Sequence, residues 1–168
     1  GIQEFVENQT DLLKADACIW EGGGVNWEGQ PIITLGVKGL VYVELECRTA
    51  ATDAHSSYAP RVPNAAWRLA WALSTLKDFD ETIRIRGFYE KVRPTSEQEL
   101  AALQALPFEE DQLKQDLGVQ SLLQGTGELK FPRSLYLSPT CNISGFASGY
   151  LGEGAKTIIP ASARAKLD

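Results

Sequence analysis

Alternation of apolar and polar residues is clearest at positions 41–48, where Val41, Val43, Leu45 and Cys47 share one side and Tyr42, Glu44, Glu46 and Arg48 the other. A period of two marks a half-buried strand, and residues 32–37 are its expected antiparallel partner. The spacing then changes. Ala66, Leu69, Ala70, Leu73 and Leu76 recur at helical intervals, with Pro63 acceptable near the first turn, so this helix is expected to pack across the sheet. Upstream, Phe5, Leu12 and Leu13 fall on one helical face before a short apolar run ending at Trp20, which reads as a helix feeding a strand. The segment EGGGVNWEGQP at 21–31 is loop chemistry and a candidate boundary.

A charged middle follows. TSEQELAALQAL offers capping-box spacings at Thr95 with Gln98 and at Ser96 with Glu99, and Pro107 is the expected stop. A second short helix should run to Gly118, a favourable C-terminal glycine. Extended character is expected again in SLYLSPTCNISGF and in ASARAKLD. The order predicts an α+β fold: an antiparallel sheet with helices on one face, a ferredoxin-like two-layer arrangement carrying a helical insertion. ASARAKLD is still alternating at Asp168, and Gly1 opens directly onto a helix, so both ends read as cuts in a longer natural chain.

Composition narrows the function. The chain has 168 residues, enough for one sizeable core, and 22 acidic against 16 basic residues give a net charge of −6. No basic stripe interleaved with aromatics is present, so a nucleic-acid partner is not expected. No apolar run approaches the roughly 20 residues needed to span a bilayer, and the N-terminus lacks a signal-peptide pattern. Cys18, Cys47 and Cys141 are odd in number and widely spaced, which reads as buried free thiols in a reducing cytoplasm. With His55 the only histidine, a self-contained His-rich zinc site cannot be assembled.

Three local features could carry chemistry: Glu21 before three glycines, His55 in DAHSSYAPRVPN, and Thr157 in GEGAKTIIP. Taken alone, each has a plainer explanation that prevails: a solvated loop acid, a surface histidine, and a β-branched residue opening a strand.

Their order changes the weighing. ADACIWEGG, GVKGLVYVELECRTAATDAHSS, VPNAAWRLAWALSTL and PTCNISGFASGYLGEGAKTIIPASARAKLD together resemble the aminoacylase, carnosinase and carboxypeptidase G family of two-zinc metallopeptidases across nearly the whole chain. The resemblance is nearest the carnosinase-type dipeptidases. It implies that residues 1–28 are a remnant of a catalytic domain and that 29–168 form the lid, or dimerisation, domain, truncated within its last strand. It further implies that Glu21 is the terminal carboxylate ligand of one zinc. His55 matches the lid histidine that stabilises the oxyanion in the partner subunit's active site. Thr157 matches a residue touching substrate in the same crossed manner. Asn64 stands where some relatives contact substrate, although a helix cap is the preferred reading.

The family's remaining ligands, a His-x-Asp pair, a bridging aspartate, a Glu-Glu pair and a late histidine, cannot be located here, and Arg164 is out of register for the substrate-binding arginine. Glu21 itself is more typical of the deacylase and carboxypeptidase branches, which leaves the substrate open between dipeptides and N-acyl amino acids. The intact parent is expected to be a cytoplasmic homodimeric hydrolase with two zinc ions per site, and this chain alone inactive and unable to hold zinc tightly. Two rivals remain: a ferredoxin-like regulatory domain binding a small molecule, and a purely structural dimerisation module.

Overall fold

The computed structural model describes residues 1–19, 22–26, 28–34, 36–106, 110–123 and 130–168, with 130–132 described by their backbone. It divides into two compact units, Gly1–Val37 and Lys38–Asp168.

The first unit holds helix α1 (Ile2–Asn8), the single turn α2 (Thr10–Leu13), and a two-residue antiparallel ladder of β1 (Gly24–Val25) with β2 (Pro31–Ile32). The ladder is closed by Asn26, whose side-chain oxygen accepts from the amides of Glu28 and Gln30. Two expectations are corrected here. No strand forms among the described residues between Lys14 and Ile19, and Cys18 is exposed, so it is not a buried thiol. Trp20 lies outside the described residues.

The second unit is built on a three-stranded antiparallel sheet of β3 (Val43–Arg48), β5 (Ile143–Ser148) and β7 (Ser162–Leu167), in the order β3-β7-β5. β3 therefore pairs with β7, Val43 opposite Leu167 through Arg48 opposite Ser162, and, among the described residues, not with 32–37 as the local pattern suggested. The reason is physical. Alternation selects the face a strand buries, but the partner is chosen by the matching alternation of β7, whose Ala163, Ala165 and Leu167 are buried while Arg164 and Lys166 face out.

Helix α3 (Ala65–Ser74) covers the buried face. Ala65, Leu69 and Leu73, at intervals of four, meet Ala163, Ala165 and Leu167, with Leu45, Cys47, Leu76 and Cys141 packed around them. Small alanines in β7 let the helix sit close, and the leucines supply most of the apolar area removed from water, each worth about 1.5–3 kcal/mol. Trp67 and Trp71 lie on the opposite side of α3, 61% and 53% exposed, with ring centroids 5.9 Å apart and Arg68 over the Trp71 ring.

The insertion contains α4 (Glu97–Gln104), α5 (Glu110–Leu117) and α6 (Lys130–Leu137). Of the two capping-box spacings, the chain uses Ser96 with Glu99, and Arg93 grips the same Glu99 carboxylate. Gly118 ends α5 with φ 66°, the left-handed conformation expected of it. Pro107 lies outside the described residues. SLYL, expected to be extended, is instead the last turn of α6. A short apolar run does not distinguish strand from helix, and here the helix takes it.

Candidate functional site

The chain rises from β3 into a two-residue strand, β4 (Ala54–His55), which pairs antiparallel with β6 (Ile158–Ile159). His55 stands opposite Ile158. So short a ladder would fray by itself, but it is pinned at several points. The Asp53 carboxylate accepts from the Ala161 amide at 2.8 Å, the Ala161 carbonyl accepts from the Thr49 amide at 2.9 Å, and Pro160 accepts from Ala65 at the head of α3. Ile159 is 3% exposed and Ala161 6%, so the inner end is fixed in the core while His55 and Thr157 remain at the surface.

The imidazole itself is held from both nitrogens. After His55 the chain turns into a 3-10 segment, Ser56–Tyr58, and the Ser57 amide donates to His55 Nδ1 at 3.2 Å, with Ser57 Oγ 2.9 Å from the same nitrogen. A backbone N–H can only donate, so Nδ1 is the accepting nitrogen and the neutral ring carries its proton on Nε2. Nε2 faces Thr157 Oγ1 at 3.2 Å, between residues 102 positions apart. The Ser56 amide donates to the Thr157 carbonyl at 2.9 Å and locks the two segments together. With Nδ1 accepting, the Nε2–H donates to Thr157 Oγ1 and the Thr157 hydroxyl keeps its own proton, so an oxygen arriving at this exposed edge can accept from the hydroxyl and share the imidazole proton. Such a pair can hydrogen-bond an oxygen that gathers negative charge.

The other singled-out residues are placed differently. Asn64 is the N-cap of α3: its Oδ1 accepts from Ala66 and Trp67 amides at 2.9 and 3.2 Å, the helix-cap reading. Glu21 lies outside the described residues. Arg164 is on the exposed face of β7, reaching Glu44 and Glu46 across the strand pair. Among the described residues no group of three or more His, Cys, Asp or Glu side chains could hold a metal ion. Two residues with a part in the site were not singled out from sequence. Asp53 and Ser57 flank His55 closely, and a serine two positions beyond a histidine was the one local signal that its ring could be oriented.

Against known proteins, a family model described as a peptidase dimerisation domain matches residues 35–168. The chain is 27% identical, over 99% of its length, to the Cys-Gly metallodipeptidase of Candida albicans, of which it spans 35%. It is 26% identical to human Beta-Ala-His dipeptidase over 95% of its length, spanning 32% of that protein. Among solved structures, an M20 family metallo-carboxypeptidase from Sulfolobus solfataricus superposes with a TM-score of 0.91 at 42% identity, covering 99% of this chain and 44% of that one. The chain thus spans about a third of the length of these curated relatives. The resemblance drawn from the four sequence segments and the α+β lid architecture agree with these matches, and the chain belongs to the peptidase dimerisation domains of the M20 metallopeptidase family.

Proposed function

We propose that this chain is the lid and dimerisation portion of a homodimeric zinc peptidase, in which His55 of one subunit donates from Nε2 to the scissile carbonyl oxygen held in the partner's active site. Thr157 supplies the adjoining contact to substrate. Residues 1–28 belong to the catalytic domain, with Glu21 as a terminal zinc ligand. The substrate is a small peptide or N-acyl amino acid whose amide nitrogen belongs to a residue with a free carboxylate. That chemistry is common to the dipeptidases and the carboxypeptidase among the relatives, and it reconciles Glu21 with the dipeptidase-like lid. The cytoplasm is its proposed location.

The observation that carries the reading is the Ser57 amide donating to His55 Nδ1, which assigns the ring proton to Nε2, with Thr157 Oγ1 facing that nitrogen. An oxyanion donor must present a proton in a set direction before the reaction begins, and its bond strengthens as the carbonyl oxygen becomes an oxyanion. Nδ1 is committed to Ser57, and the Nε2–H, which donates to Thr157 Oγ1 here, is the proton a substrate oxygen would share or take over.

The test uses the full-length enzyme. His55→Ala should lower kcat by on the order of 10²–10³ with a smaller effect on KM. Glu21→Ala should abolish activity by removing a ligand. Mixing the two nearly dead proteins, with subunit exchange verified, should restore one working site per heterodimer, because the intact metal site of one chain receives His55 from the other. An unchanged kcat in His55→Ala, or inactive mixed dimers, would refute the crossed role.

A further inference from the structure

The loop between β5 and β6 is fastened by contacts that none of the roles above uses. Tyr150 Oη donates to the Glu153 carbonyl at 2.7 Å, and the Lys156 ammonium lies 4.3 Å from the centre of the Tyr150 ring. A cation over an aromatic face at this distance is attracted by the ring quadrupole. Gly152 is fitted to the same ring: a Cβ there would stand 2.7 Å from Tyr150 Oη and 2.8 Å from Cζ, so any side chain would displace it. Gly149 and Gly154, with φ of 70° and 85°, supply left-handed bends on either side. The loop closes on Thr157. The Ile158 amide donates to the Lys156 carbonyl at 3.1 Å, making Thr157 the middle residue of a three-residue turn whose first residue is Lys156. Whatever orients Lys156 therefore orients the Thr157 hydroxyl, and through it the oxygen that faces His55 Nε2.

We infer that Tyr150 and Lys156 form a clasp that positions Thr157 against His55. They are positioning residues, acting through Thr157, and the role rests on the functional reading of that pair. A lysine–tyrosine contact at an exposed site corresponds to about a two- to fivefold effect on rate if it is needed only for the aligned state.

The experiment is a set of double-mutant cycles in the full-length enzyme, reading kcat and KM on a dipeptide. Lys156→Met and Tyr150→Leu should each lower kcat/KM by about two- to fivefold. Lys156→Arg, which keeps a cation over the ring, should restore the wild-type value. Gly152→Ala, which pushes the Tyr150 ring aside while leaving both residues of the pair unsubstituted, should reproduce Tyr150→Leu. In a Thr157→Val background the same changes should have no further effect, since there is no longer a hydroxyl to position. Equal losses in both backgrounds would show general loop damage and overturn the clasp, as would failure of Lys156→Arg to rescue. If His55→Ala cripples the enzyme while Lys156→Met is silent, only the clasp fails; if His55→Ala is itself silent, the functional reading fails first. Should Tyr150→Leu unfold, Lys156→Met and its arginine rescue decide the matter alone.

Discussion

Replacing Asn64 separates a cap from a substrate contact, because its two side-chain ends are used differently. Oδ1 accepts from both Ala66 and Trp67 amides, and Asn64 has the extended backbone of an N-cap, φ −93° and ψ 121°. Asn64→Ala leaves those donors to water, which reaches the half-buried Ala66 poorly, so the cost should be about 1 kcal/mol and up to about 2. For a chain of this size each kcal/mol moves the thermal midpoint by about 2–4 °C. Asn64→Asp keeps the acceptor, adds a charge of the favourable sign at the helix N-terminus and removes the Nδ2 donors. A cap then requires that Asp be at least as stable as Asn, that Ala melt about 2–8 °C lower, and that KM of the full-length Asp variant be unchanged. Melting curves followed by circular dichroism, with KM beside them, give all three numbers. If Ala melts with wild type, the cap argument is wrong; if Asp is stable but raises KM severalfold, Asn64 touches substrate through Nδ2.

Two further outcomes follow from the packing and the charge pairs. Leu69→Ala, at a site 3% exposed between α3 and β7, should cost about 2–5 kcal/mol in urea unfolding, and a loss under 1 kcal/mol would mean the helix repacks freely. Glu99 is held at a pKa of about 2 by Arg93 first and then by the Ser96 amide and hydroxyl, well below its ordinary 4.5. A depressed folded-state pKa gives stability that is complete above about pH 4.5 and lost as pH falls towards 2. The difference in urea midpoint between wild type and Glu99→Gln should accordingly be constant at neutral pH and shrink across that acid window; a difference that persists unchanged to pH 2 would exclude Glu99 as its source.

The parts of this fold legible from sequence are those decided locally. β3 and α3 announce their buried faces through periods of two and of nearly four, and Ser96, Glu99 and Gly118 mark helix ends through hydrogen bonds reaching only a few residues. What was illegible depends on distant chain. β3 chose β7, more than a hundred residues away, over the nearer residues 32–37, because a six-residue ladder burying Ala163, Ala165 and Leu167 removes more apolar surface than a local hairpin could. The same holds at the site. His55 and Thr157 could each be singled out from its neighbours, but their contact exists only because β4 pairs with β6. The last turn of α6 misled for the opposite reason: Leu135, Tyr136 and Leu137 are too few to carry a period.

The exposure of His55 is what makes a second surface necessary to its proposed role. A neutral donor in open water exchanges one hydrogen bond for another and gains about 1 kcal/mol at most, whereas the same donor in a dry site acts on developing charge with much of its full strength. This chain provides the first requirement of such a site, orientation fixed in advance: Ser57 commits Nδ1, the Asp53–Ala161 bond and buried Ile159 anchor the ladder, and Thr157 faces Nε2. It does not by itself provide the second, since both donors stand at the surface. Under the proposed crossed role, dryness would come from the partner subunit closing over β4 and β6, so covering this edge is what the mixed-dimer experiment tests.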